Sequence, residues 1–460
     1  MAFAATVEWE VRNGGNDANG GGFDPTSGTP GTDYSQQDAA QITYTDLVID
    51  ATTNTDCTSA GNPFTAAHVG NIVNITSGTG FTVQRVQVMS VTAGVARMDK
   101  SLGTLSSTGG NGKLGGGFAS PGACGGLLVA GNIMWIKYHA TDYSLTSTSN
   151  NVSNGRVSLP SGSATAPVLM RGYDTAHGDE TANRPTLKWG VNAGGSYIVS
   201  CGVSYNYLEN LILNGNRANF TNPRGASFAS DGNRMRRVKI MGMTSLTINF
   251  GGGSICEWTD VELTDNTVVT GLADTTHHMI GIYAHDNTVG AFTLGAGTVT
   301  ITDSIFDTNG ATPFSTTGAC RLIASNCTFY GNTGAGIDLT ARPHNFRAVN
   351  CVFEANTTYG IKLAATYAQV ETLNCAFYNN TSGKYNTGFI LSRNITGEVI
   401  PTVSPFVNAG SADFRLNMIS GGGAGCRGAG YPQTFPGLTW ANRRDIGAHQ
   451  HSGAKRGING

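Results

Sequence analysis

The sequence predicts an all-β protein whose main body is a parallel β-helix, a solenoid, preceded by a small N-terminal β domain. The first observation is a repeat. Between Leu211 and Asn380, one phrase of two alternating apolar residues and a turn, usually closing on asparagine, occurs eight times. Its closing residues are Asn216, Met243, Asn266, Asn287, Asn309, Asn332, Asn356 and Asn380, in steps of 27, 23, 21, 22, 23, 24 and 24 residues. A strand-turn unit at that period cannot bury its own apolar face and stacks on its neighbours. The second is the make-up of those units, rich in Val, Ile, Thr, Phe and Tyr and interrupted by Gly or Asn, which excludes a helical repeat. The third is glycine, 64 of 460 residues, about double the usual share, as a coil with several tight corners requires.

Taken in order, residues 1–38 form a Gly-rich arm with almost no periodicity. So few apolar residues are expected to stay flexible or to order against a partner. Residues 39–124 read as a small β domain or cap, with ITYTDLVID, NIVNIT, FTVQRVQVMSV and VARMDKSL as strands joined by SGTG and TAG turns. Residues 125–395 are the solenoid. Residues 396–460 are a C-terminal capping segment. Its loop YPQTFPGLTW suits either a carbohydrate-stacking platform or a lid over the open edge of the last coil.

Within the phrase, alternation sends two residues inward. They are Leu211/Leu213, Val238/Ile240, Val261/Leu263, Ile282/Ala284, Cys327/Phe329, Cys351/Phe353 and Cys375/Phe377, with Ser304/Phe306 in the deviating unit. Stacked ~4.8 Å apart, Phe306, Phe329, Phe353 and Phe377 form an aromatic ladder, and Cys327, Cys351 and Cys375 a thiol ladder. Gly336-Ile337 and Gly360-Ile361 begin a second inward ladder. Asparagine suits the corners because it tolerates left-handed backbone and its amide bonds neighbouring backbone. The sequons at Asn326, Asn356 and Asn380 fall inside the coils and read as coincidence.

Two segments carry a family resemblance. GNIMWIKYHATDYSLTS and APVLMRGYDTAHGDETANRPTLKW resemble the opening coils of right-handed parallel β-helix proteins of the pectate-lyase-like type. Pro167, Arg171, Gly172, Tyr173, Gly178, Asp179, Arg184 and Pro185 keep that pattern, while Asn132 stands where aspartate is usual. SPFVNAGSADFRLN and the DIGAHQ of Asp445 to Gln450 resemble the closing segment of such chains. The resemblance covers about residues 125 to 450 and implies a right-handed single-stranded parallel β-helix. It implies little about function, because lyases, hydrolases, adhesins and phage tailspikes share the fold.

Charge and cysteine narrow the classes. Charged residues are 13 % and the net charge is −2, which argues against nucleic acid as a partner. No apolar run is long enough to span a membrane, and MAFAATVEWEV lacks the basic segment and apolar core of a signal peptide. Nine cysteines without metal-type spacing suggest a mostly reduced protein assembled in a cytoplasm.

Outward residues stack into columns too. In register, Arg237, Lys239, Asp260, Glu262, Tyr283, His285, Asp303 and Asp307 are expected on one face over four coils. Asp260, Glu262, Asp303, His285 and Lys239 are the catalytic candidates; Tyr283, Asp307, Tyr330 and Tyr378 are the carbohydrate-binding ones. Asp260 and Asp303, two coils apart, would be separated by about 9 to 10 Å, near the upper end used by inverting glycosidases. The resemblance alternatively implies a Ca2+-assisted proton abstraction from a uronic acid; the residues themselves specify no metal. Cross-strand pairs that only solubilise the sheet are the structural alternative. His277 and His278 are expected in a surface loop.

These readings favour a virion structural protein of a tailed phage, a spike, fibre or surface-decoration subunit assembled in the host cytoplasm, with a structural rather than catalytic role. Its expected partners are further copies of itself, as a trimer by the tailspike resemblance, other virion proteins through the N-terminal arm, and a surface polysaccharide. The alternatives are a polysaccharide lyase or glycoside hydrolase, and a bacterial surface adhesin or filament subunit.

Overall fold

The computed structural model describes residues 3–448, apart from 202–203, 229, 246, 251–254, 268–269, 273–274, 341–344, 364–368, 387–392 and 432–443. The chain divides into two compact units, Met1–Val191 with Ser196–Ile212, and Asn192–Gly195 with Leu213–Gly460.

The first unit holds the predicted β domain, a closed antiparallel barrel of six strands from Ile42–Ile49 to Gly110–Leu114. Its core is built around Tyr44, Leu47, Val73 and Val86, with Tyr44 stacked on Phe64 at 4.9 Å. The opening coils are here too: Ile133–Lys137 pairs in parallel with Val168–Tyr173. The N-terminal arm departs from expectation. Glu8–Val11 is a strand lying parallel to Ile133–Lys137, because Val7, Trp9 and Val11 alternate inward and are fully buried. The glycines beyond it allow close packing: a Cβ on Gly20 would stand 2.0 Å from the Ile72 carbonyl oxygen. Asn132 accepts from Trp9 Nε1 at 3.2 Å and donates to the Ala4 carbonyl at 2.9 Å. An ionised aspartate could not make the second bond, which explains the departure from the usual residue.

The second unit is the body of the solenoid, three strands per coil, each paired in parallel with its counterpart one coil on. One run is Thr275–Ile280, Tyr283–His285 and Phe292–Leu294, which pair with Gly297–Thr302, Ile305–Asp307 and Phe314–Thr316. The phenylalanine ladder is present, with rings 5.1, 4.8 and 5.0 Å apart from Phe306 to Phe377 and nearly parallel. Cys327, Cys351 and Cys375 are buried below it, each thiol donating to the carbonyl two residues earlier. All nine cysteines are buried, and none is in a disulfide.

Two corners bracket the middle strand. At the first, Arg237, Asp260, Gly281, Asp303, Asn326, Asn350 and Asn374 all adopt left-handed backbone, φ between +51° and +68°. At the second, the left-handed residue is the one before the expected asparagine: Asp265, Asp286, Thr308, Gly331, Ala355 and Asn379. The asparagines themselves form a hydrogen-bonded ladder. Each Nδ2 from Asn266 to Asn356 donates to the Oδ1 of the next, at 2.8–3.0 Å. Each also donates to an inner-strand carbonyl of the preceding coil, as Asn332 does to Phe306 at 3.0 Å. His277 and His278 lie in the strand Thr275–Ile280 rather than a loop. His277 points inward, fully buried against Trp258, and burial pushes its pKa down to about 3.

The C-terminal segment packs along the side of the coils. Phe406–Asn408 and Asp413–Leu416 form an antiparallel pair, and Phe406, Phe414 and Leu416 cover Ile305, Val352 and Ala376. Three apolar residues at outward positions thus find their cover. Of the YPQTFPGLTW loop only Tyr431 falls within the described residues; its backbone exchanges hydrogen bonds with the Asn350 side chain at 2.5 and 3.0 Å.

Candidate functional site

The middle strands present two outward columns in register: Lys239, Glu262, Tyr283, Ile305, and alongside it Met241, Thr264, His285, Asp307. Five of the sequence-predicted residues meet here. Lys239 Nζ lies 2.7 Å from Glu262 Oε1, and His285 Nε2 lies 3.2 Å from the same oxygen. His285 Nδ1 lies 2.8 Å from Asp286 Oδ2. With a carboxylate at each ring nitrogen, the arrangement favours the imidazolium, in which both nitrogens donate. Tyr283 stacks on it, centroids 4.1 Å apart.

This network sorts the ionisable groups. Burial alone would raise the Glu262 carboxyl, but its bonds to His285 and Lys239 win and hold it at about 2. Burial likewise works against the His285 cation, and Glu262 and Asp286 overcome it, so its pKa is raised. Asp307, with no cation bonded to it, goes the other way. Burial and the charge of Asp286 lift it to about 6. It is 5 % exposed, and its Oδ1 is buried without a hydrogen-bond partner. Tyr283 is also pushed upward, by burial and by the nearby Asp307.

The remaining candidates are placed differently. Asp260 and Asp303 occupy the first left-handed corner, and Asp303 Oδ1 accepts from Asn326 Nδ2 at 3.0 Å. Their column reads Asn, Asp, Gly and Arg because the backbone there favours residues that tolerate φ above zero. Tyr330 is packed under the C-terminal segment, 5.5 Å from Phe414 and 6.4 Å from Phe406. Tyr378 continues the column beyond Glu354, half-buried. Among the described residues no group of three or more acidic, histidine or cysteine side chains is placed to hold a metal ion.

Sequence reasoning missed Asp286 and Thr308, whose corner side chains are joined by a 2.9 Å bond. It also missed a cluster in the first unit. There Glu10, 1 % exposed, receives Tyr173, His177 at 2.9 Å and Arg12 at 3.3 Å. His177 stacks on Trp135 at 4.3 Å. The alternation of TVEWEV was the available signal.

Comparison with known proteins agrees with this architecture. The family model described as a right handed beta helix region matches residues 224–394. Among solved structures, pectate lyase Pel9A superposes with a TM-score of 0.50 at 12% identity, over 73% of this chain and 91% of that one. The A-module of Azotobacter vinelandii mannuronan C-5 epimerase AlgE4 gives 0.41 at 14% identity, over 59% and 89%. ORF18 of Geobacillus virus E2 gives 0.34 at 10% identity, over 58% and 52%. No curated protein matches the sequence. Ladders, corners and family match lead to one conclusion: residues 224–394 are a right-handed parallel β-helix.

Proposed function

We propose that the face around Glu262 and Asp307 binds a polysaccharide and hydrolyses its glycosidic bonds, with Asp307 as proton donor. One observation carries this reading: two carboxyls on one face are driven in opposite directions, Glu262 to about 2 and Asp307 to about 6. Surroundings that separate two acids in this way assign them separate tasks. Asp307 keeps its proton into weakly acidic solution and can pass it to the leaving oxygen. Glu262 stays ionised and offsets positive charge developing at the anomeric carbon. Tyr283 offers an aromatic edge for a sugar ring.

For the setting we propose a tailed-phage virion, where the chain would attach to a host-surface glycan. Nine buried cysteines, none in a disulfide, support assembly in a reducing cytoplasm. A second reading, attachment without cleavage, draws support from Glu262 being occupied by two cations. The test is incubation with acidic and neutral polysaccharides, following new reducing ends, the ultraviolet absorbance of unsaturated uronates, and binding. Hydrolysis yields reducing ends without unsaturation, and Asp307→Asn lowers the rate about 100-fold or more. Binding with no new ends selects attachment. Unsaturated products, or full activity in Asp307→Asn, overturn the assignment.

A further inference from the structure

Glu354 is the buried acid the face does not explain. It lies in the strand Val352–Glu354, in register between Tyr330 and Tyr378. It is 4 % exposed, and its Oε2 is buried with no hydrogen-bond partner. The C-terminal segment covers it: Ser404 lies close enough to work against the effect of burial on its carboxyl, and Phe406 and Phe414 close over the neighbouring Tyr330. A neutral carboxylic acid is tolerated in such a place, whereas a carboxylate needs a cation or several donors.

The surroundings offer neither. Adjacent strands contribute the phenols of Tyr330 and Tyr378, and two coils along the column stands the acid Asp307. From the segment come the Ser404 hydroxyl and the Cys426 thiol, which feels both Glu354 and Asp445. The arginines of residues 399–431 are engaged elsewhere, Arg415 with Asp413 and Arg427 with the Leu416 carbonyl at 2.8 Å. Among the described residues, the groups placed around Glu354 are neutral or acidic.

We propose that residues 399–431 are a pH-released cover on the side of the β-helix, and that ionisation of Glu354 releases it. This inference is independent of the hydrolytic reading. Release would uncover Tyr330 with Ile305, Val352 and Ala376, and so lengthen the face that begins at Tyr283. Bonds at the segment's end, from Asn374 to Ala429 and between Asn350 and Tyr431, would keep it tethered. The sign follows from the proton. Burial raises Glu354 from 4.5 to about 7, so the docked state holds the proton more tightly than the released one. Docking is therefore strongest below the lower value, weakens as pH rises between the two, and carries the whole penalty above the upper one. At tenfold per pH unit of separation, the released population grows about 300-fold in all, from well below that window to well above it.

Hydrogen exchange on the full chain tests this, comparing about pH 5 with about pH 8 after correction for intrinsic exchange rates. Amides of Phe406–Asn408 and Asp413–Leu416 are expected to open roughly 70-fold more at the higher pH, while the inner strands of the coils stay protected. In Glu354→Gln, which cannot ionise, the segment's opening is expected to be the same at both. Opening in the unaltered chain that does not change with pH overturns the proposal without reliance on any variant. So does an unaltered pH response in Glu354→Gln.

Discussion

Replacing Asn332 with alanine removes one rung of the amide ladder in the middle of the solenoid. The side chain is fully buried and makes four bonds. It donates to Phe306 O and Asn356 Oδ1, both at 3.0 Å, and accepts from Asn309 N at 3.1 Å and Asn309 Nδ2 at 2.9 Å. Three of the four partners keep another bond: Asn309 Nδ2 still reaches Ala284 O, Asn356 Oδ1 still accepts from Asn332 N, and the Phe306 carbonyl stays in the parallel ladder with Thr328–Tyr330. The amide N–H of Asn309 loses its acceptor. Such a buried loss costs about 1–3 kcal/mol, which is the expected destabilisation. Urea unfolding, followed by tryptophan fluorescence and circular dichroism together, would measure it as a lowered midpoint. The two probes are needed because repeat architectures can unfold in stages. A loss below about 1 kcal/mol, the scale of an exposed polar substitution, would refute the reasoning and mean that water replaces the rung.

Two further predictions bear on the face. Glu262 is held at about 2 against 4.5 unperturbed, so its contribution is present above 4.5 and lost as pH falls toward 2. That contribution is about 3 kcal/mol at most, and Glu262→Gln should flatten the acid limb of stability measured by denaturant titration; an unchanged limb would remove Glu262 from the account. Asp303→Asn should leave stability within about 1 kcal/mol and leave any depolymerising activity intact. Asparagine fills the same left-handed corner in the next three coils, at Asn326, Asn350 and Asn374; a large loss of activity with retained folding would return Asp303 to the site.

The inward half of the solenoid was legible because alternation is a geometric necessity of a strand: Phe329, Phe353 and Cys351 stand where the phrase put them. The same register brought Lys239, Glu262, Tyr283, His285 and Asp307 together on the outside. It failed at Asp260 and Asp303, since counting by twos carries through a corner that the backbone does not. The column's own composition of Asn, Asp and Gly was the sign of that corner. Docking of the C-terminal segment was half visible in Ile305, Val352 and Ala376, apolar residues at outward positions. What covers them lies far along the chain, and no local pattern states that pairing. For the N-terminal strand, the surrounding glycines masked the alternation of Val7, Trp9 and Val11.

The asparagine ladder has an electrical consequence. From Asn266 to Asn380 every amide passes its forward hydrogen bond in one direction along the axis. Six side-chain dipoles are thus aligned head to tail, as peptide units are in an α-helix, and each polarises the next. The interior of the β-helix therefore has a positive and a negative end. The donor end is at Asn380, in the last full coil, where an approaching carbonyl or carboxylate meets a favourable field that the Asn266 end opposes.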